Sequence, residues 1–308
     1  MKVYKRIDEL IGNTPLLELS RIKKEYNLAG NIIAKLEYFN PSSSVKDRAA
    51  REMIEDAQKR GLLNKDSVII EPTSGNIGIS LSMMAAINGY RAIMVMPSTM
   101  SVERQKLMKA YGAEIVLTDG ALGMKGAIDK ANELAKDIEN SFIPSQFDNP
   151  NNPLAHYKYT AREIWADTVS NIDIFVAGVG TGGTLSGTAK FLKEQNSDIR
   201  VVAVEPSGSP VISKGEKGPH KIQGIGAGFI PGNLDVTAID EVIVVDDADA
   251  FASSAALAKT EGVLVGISSG AALKAAITVA SRLENKDKNI VVLLPDTGER
   301  YLSTALFE

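Results

Sequence analysis

Ser67-Val-Ile-Ile-Glu71, Ile77-Gly-Ile-Ser-Leu-Ser-Met-Met-Ala-Ala-Ile-Asn88 and Arg91-Ala-Ile-Met-Val-Met96 follow one another with only short polar turns between them. They read as an apolar strand, a helix and a second apolar strand. Short apolar runs bounded by turn residues suit strands buried on both faces, and a helical crossover makes such strands parallel. The rhythm continues in both directions. Upstream, Ile32 to Glu37 reads as a strand. Downstream, Ser101 caps a helix that Gly112 closes, Glu114 to Thr118 is a strand, and a helix runs from about Met124 to Ile138. Pro144-Ser-Gln-Phe-Asp-Asn-Pro-Asn-Asn-Pro153 then interrupts with proline and asparagine, as a domain crossing would. Beyond it the spacing predicts helices near 157–168, 185–195 and 248–261 and another after Gly270. Strands are expected at 172–177, 200–205, 242–245 and 290–294, with a glycine-rich loop over 206–233. The expected class is α/β, with two units built on mainly parallel sheets.

The stretch Asn40-Pro-Ser-Ser-Ser-Val-Lys-Asp-Arg48 leads into another helix, since apolar residues recur at Val45, Ala49, Ala50, Met53, Ile54 and Ala57 before Gly61 ends it. Serines are good helix caps. Lys46 then falls in the first turn, where the helix dipole disfavours a cation and so favours the neutral, nucleophilic amine. An ordinary lysine is neutral in only about one molecule in a few thousand at pH 7.

The totals narrow the possibilities. A net charge of −4 with no basic block gives no footprint for nucleic acid. Cysteine is absent, which removes disulfides, thiolate metal sites and a cysteine nucleophile. Two histidines, His156 and His220, are too few for most metal clusters, so no metal is expected. The first ten residues carry charges throughout and no apolar run, and nothing reaches membrane-spanning length. A cytoplasmic protein is the expectation.

In open parallel sheets ligands sit beyond the carboxyl ends of strands. Thr73-Ser-Gly-Asn-Ile-Gly78 follows such an end and offers hydroxyls and N–H groups to an anion such as a substrate carboxylate. Gly178-Val-Gly-Thr-Gly-Gly-Thr184 follows another, with four glycines to close round a tetrahedral anion and two threonines as donors. No lysine follows, against a nucleoside-triphosphate loop. The same glycines satisfy G-x-G-x-x-G, and Glu205 stands near the offset where a ribose hydroxyl is read, so an NAD-dependent oxidoreductase is the rival. That rival leaves Lys46 and the Thr73–Gly78 loop unused, whereas a monophosphate cofactor with a reactive aldehyde uses all of them. Gly266-Ile-Ser-Ser-Gly270 opens a further helix, where a serine either caps it or meets a ring nitrogen. The run Gly224-Ile-Gly-Ala-Gly-Phe-Ile-Pro231 reads as a mobile cover or a tight turn.

Gly12-Asn-Thr-Pro-Leu16, Pro41 to Arg48, Thr73 to Asn76, Gly180 to Thr184, Gln223 to Pro231 and Gly298-Glu-Arg-Tyr-Leu-Ser-Thr304 occur in the order found in O-acetylserine sulfhydrylases, also called cysteine synthases, and the chain resembles that family throughout. The resemblance implies pyridoxal phosphate in the type II (tryptophan synthase β-like) fold. Two three-layer domains would then flank a cleft: a smaller one over 41–147, and a larger one made of 1–40 and 148–308. It implies that Lys46 forms the Schiff base and acts as general base, and that Asn76 bonds the cofactor's 3-hydroxyl oxygen. Gly180, Thr181, Gly182, Gly183 and Thr184 would hold the phosphate, and Ser268 would meet the pyridine nitrogen. Thr73, Ser74 and Gln146 would bind the substrate α-carboxylate, with Gly75, Asn76 and Gly224 beside the substrate. The implied reaction is β-replacement of acetate in O-acetyl-L-serine by sulfide, through an α-aminoacrylate. A homodimer is implied, as is the C-terminal tail of serine acetyltransferase as a partner docked in the cleft. Cystathionine β-synthase and serine dehydratase are related alternatives. The chain is short for the former's regulatory extension, and Val45-Lys46 differs from the latter's Phe-Lys. At Pro295-Asp296-Thr297 the chain departs from relatives that carry serine after the proline.

Overall fold

The structure, a computed structural model, describes residues 3–73 and 75–307. Its strands are β1 (Leu16–Glu18), β2 (Asn31–Leu36), β3 (Val68–Pro72), β4 (Arg91–Pro97), β5 (Glu114–Thr118), β6 (Ser141–Phe142), β7 (Ile174–Gly178), β8 (Arg200–Pro206), β9 (Glu241–Val245) and β10 (Asn289–Leu294). They form a four-stranded sheet in the order β5-β4-β3-β6 and a six-stranded sheet in the order β1-β2-β10-β7-β8-β9. All pairings are parallel except that of β1 with β2.

The four-stranded sheet belongs to a unit made of the residues up to Ile11 and Lys46–Asn152. Strand alternation gives it two apolar faces. Ile69, Met94 and Met96 pack with Ala49, Met53 and Ile54 of helix Lys46–Lys59 and with Ile77, Leu81 and Met84 of helix Asn76–Asn88. Val68, Ile70, Ile93 and Val95 pack on the other side against Ala127 and Ala131 of helix Gly123–Asp137. The second unit, Gly12–Val45 with Pro153–Glu308, repeats the plan on the larger sheet. One face meets helices Asp247–Glu261 and Ile267–Ala280, and the other meets helices Ala161–Asp167 and Gly183–Gln195.

The division differs from the sequence reading at its edges. Residues 3–11 go with the first unit because Ile11 is buried in its core and Arg51 Nη1 donates to the Ile11 carbonyl at 3.2 Å. Asn151 also stays with it, bonding Asp56 at 2.9 Å. Residues 41–45 go with the second unit, where Val45 N–H donates to Pro295 O at 2.8 Å and its side chain joins the core around Phe175. Several short elements were not foreseen: β1, β6, helix Ser20–Glu25, and helix Val211–Lys214 inside the long loop. The helix expected near 157–168 is a composite. It begins at Asn151–Ala155, widens to a π turn at His156–Thr160 and resumes at Ala161–Asp167. No helix among the described residues is long and apolar enough to cross a membrane.

Candidate active site

In the first unit two helices begin with candidate site residues. Lys46 is the first residue of helix Lys46–Lys59, and Asn76 is the first of helix Asn76–Asn88. Thr73 leaves β3 with its N–H on the Val95 carbonyl at 2.9 Å, so the turn into the second helix starts from a fixed ladder position. Its hydroxyl accepts the Gly75 N–H at 3.2 Å. Ser74 lies outside the described residues. Gln146 is buried, and its N–H and that of Ser145 reach the Glu71 carboxylate at the end of β3, at 3.3 and 3.1 Å. Burial pushes the Glu71 carboxyl up to about 7 against the lowering effect of these two bonds.

In the second unit the glycine loop follows β7 and opens helix Gly183–Gln195. Gly182 precedes that helix in the left-handed region, at φ 82°, and contributes no side-chain cap. A Cβ at Gly180 would stand 2.3 Å from the Gly224 carbonyl oxygen, so only glycine allows this close approach of two backbones. Gly224 in turn lies beside Ser268: a Cβ there would be 3.4 Å from the Ser268 hydroxyl oxygen. The fold thus brings Gly180, Gly224 and Ser268 together, although they are far apart in the chain. Ser268 sits buried in the first turn of helix Ile267–Ala280, which starts earlier than the sequence suggested. The run from Gly224 is a turn: Gly224, Gly226 and Gly228 all have positive φ, and Gly226 N–H is fastened to Val179 O at 3.0 Å.

Asp296, the departure from the family pattern, is buried and accepts the Tyr301 hydroxyl at 2.7 Å, while its backbone bridges to Ser44. It anchors the segment after β10. The dinucleotide reading fails at Glu205. That carboxylate takes the Ile212 and Ser213 N–H groups at 2.7 and 3.0 Å and the Ser213 hydroxyl at 2.5 Å, so it caps helix Val211–Lys214.

Two residues escaped the sequence reading. His156, in the π turn, places Nε2 3.2 Å from Thr184 Oγ1 and Nδ1 2.9 Å from Thr160 Oγ1, so it bridges the glycine loop to its own helix. Its distance from Thr184 in sequence left no signal. Glu71 lies in β3 as the sequence suggested, but the bonds its carboxyl group accepts from Ser145 and Gln146 join residues far apart in the chain and left no signal. Among the described residues no group of histidine, aspartate and glutamate could hold a metal ion.

A lysine opening one helix and a glycine loop opening another, each on a parallel α/β unit, suit an enzyme that works through an aldehyde cofactor with a phosphate handle. Residues 7–296 match the family described as "Pyridoxal-phosphate dependent enzyme", and the chain belongs to that family. It is 54% identical over 311 residues to the "Probable cysteine synthase" of Bacillus subtilis (strain 168), covering 100% of this chain and 99% of that protein. It is 51% identical to "Cysteine synthase A" of Salmonella typhi over 99% of this chain and 96% of that one. Among solved structures, the Cysteine Synthase (OASS) of Entamoeba histolytica superposes with a TM-score of 0.96 at 47% identity, covering 99% of this chain and 91% of that one.

The residues present fit the cofactor. A phosphate dianion is favoured at the start of helix Gly183–Gln195, where Gly182 supplies no capping side chain, and the absence of a Cβ at Gly180 is what lets this loop lie against the Gly224 backbone.

Proposed function

We propose that this protein is a cysteine synthase, a transferase that replaces the acetate of O-acetyl-L-serine by sulfide to give L-cysteine. The observation that carries the reading is identity of about one residue in two with cysteine synthases along the whole chain. Pyridoxal phosphate, when bound, supplies an aldehyde for the amino group and a ring that draws electrons from Cα.

The rest falls to the chain's own residues. With the cofactor bound, the Lys46 amine would hold its aldehyde, and as a free amine it would serve as the base for the substrate Cα proton. Thr73, Ser74 and Gln146 hold the substrate carboxylate, with Gly75 and Gly224 beside it. Asn76 would hold the 3-hydroxyl oxygen, and Gly180–Thr184 would hold the phosphate. Ser268 would offer a neutral hydroxyl to the ring nitrogen, a partner that suits elimination of a good leaving group. The Cα–H and Cβ–O bonds break, acetate departs, a Cβ–S bond forms, and Lys46 returns the proton to Cα. We further infer a cytoplasmic homodimer whose site the C-terminal tail of serine acetyltransferase competes for.

Borohydride reduction of the yellow protein followed by peptide mapping tests the central role. The cofactor adduct is expected on Lys46, and Lys46→Ala should turn over O-acetyl-L-serine at least roughly a thousandfold more slowly. An adduct on another peptide overturns the reading.

A further inference from the structure

Glu71 is buried at the carboxyl end of β3, two residues before Thr73, yet nothing so far gives it a task. Its two oxygens are divided between two consecutive backbone donors. Oε2 accepts the Ser145 N–H at 3.1 Å and Oε1 accepts the Gln146 N–H at 3.3 Å. From the other side Asn152 Nδ2 donates to the Gln146 carbonyl at 2.8 Å. The backbone of Gln146 is therefore gripped at both its N–H and its C=O.

Ser145 needs this grip. Its φ of 58° lies in the left-handed region, which a non-glycine residue holds only where its surroundings impose it. In its ionised form the carboxyl group suits the arrangement because each oxygen accepts, whereas an amide always presents one acceptor and one donor to the same two N–H groups. A carboxyl group deep in a unit is an expensive way to hold a turn that has only a structural part to play.

We propose that Glu71 is a positioning residue for the amino-acid substrate: it fixes the Ser145–Gln146 backbone so that the Gln146 side chain is set to receive the substrate α-carboxylate. Glu71 also lies two residues before Thr73, so the end of β3 that carries this carboxyl group leads into the other proposed carboxylate-binding segment. The proposal rests on the reading of Gln146 given above.

The test is a double-mutant cycle on the cofactor-loaded enzyme with Glu71→Gln, Gln146→Ala and the pair, reading KM for O-acetyl-L-serine, KM for sulfide, kcat and the cofactor absorbance. Glu71→Gln is expected to raise KM for O-acetyl-L-serine roughly tenfold, about 1.4 kcal/mol. It should change kcat far less and leave sulfide KM and absorbance in place. Added to Gln146→Ala it should raise that KM no further. An unchanged KM in Glu71→Gln, a loss confined to kcat, or effects that multiply in the pair overturn the proposal while the reading of Gln146 stands. A Gln146→Ala enzyme with unaltered KM overturns that reading and the proposal with it. Should Glu71→Gln not fold, Glu71→Asp keeps both acceptor oxygens on a shorter arm. It must show a smaller rise in the same KM, and its absence overturns the proposal equally.

Discussion

The Ser80 hydroxyl donates to Oδ1 of Asp47 at 2.6 Å. Asp47 follows Lys46 directly, and Ser80 lies one helical turn beyond Asn76, so this bond pins the openings of the two helices that carry those residues. Both partners are buried, and water does not replace the bond when it is lost. Ser80→Ala is expected to lower stability by about 1–3 kcal/mol. The fall should appear as an earlier urea midpoint, together with slower turnover in protein that still holds its cofactor. A variant with unchanged midpoint and turnover would show that the helix openings are held without this bond.

Glu71 makes stability depend on pH in an unusual direction for a carboxyl group. Burial lifts it from 4.5 to about 7 in the folded chain. Between those two values the folded state binds more protons than the unfolded one, so stability falls as pH rises through the window. The contribution is complete below 4.5 and gone above 7, a difference of about 3 kcal/mol. Relative to Glu71→Gln, which does not titrate, the wild-type protein should lose stability by roughly that amount across the window. Parallel stability curves for the two proteins would contradict this.

How far this could be read from sequence depended on whether the pattern was local. The parallel strands and their helices were legible because apolar runs and periodicity are properties of neighbouring residues. β1 and β6 were not, since three residues and two residues carry no period. Lys46, Asn76 and the glycine loop were legible as helix openings, and the structure places them there. The π turn at His156 leaves no trace in residue types. The contacts of the Gly12–Leu16 motif were not legible either: Gly12 N–H meets Asn40 Oδ1 at 2.8 Å and the Thr14 hydroxyl meets Glu37 at 2.7 Å. Such contacts are invisible to a reading that moves along the chain, because β2 lies in sequence between their partners.

Lys35 shows the same dependence on tertiary placement. It is wholly buried on β2, with Nζ 2.9 Å from Glu163 Oε2 and 2.6 Å from the Thr14 carbonyl. Replacing one member of such a pair strands the other, whereas replacing both restores much of the loss. Lys35→Met is expected to cost about 3 kcal/mol in chemical denaturation, and Lys35→Met with Glu163→Leu appreciably less. Additive losses in the double variant would mean that the two charges are not coupled.

Gly180 tests the proposed phosphate site most directly. A methyl group there would lie 2.3 Å from the carbonyl oxygen of Gly224, and that oxygen belongs to backbone that cannot rotate aside. One of the two loops must therefore move. Displacing the first disturbs the approach to helix Gly183–Gln195, and displacing the second shifts the neighbour of Ser268. Either movement spoils a proposed cofactor contact, while strain of this kind costs about 1–3 kcal/mol in the folded state. Gly180→Ala should therefore fold with reduced stability and bind pyridoxal phosphate at least roughly tenfold more weakly, read as lower cofactor absorbance per chain on dialysis and a higher concentration needed to restore it. If the variant retains the cofactor as firmly as the wild type, the glycine loop is not the phosphate site.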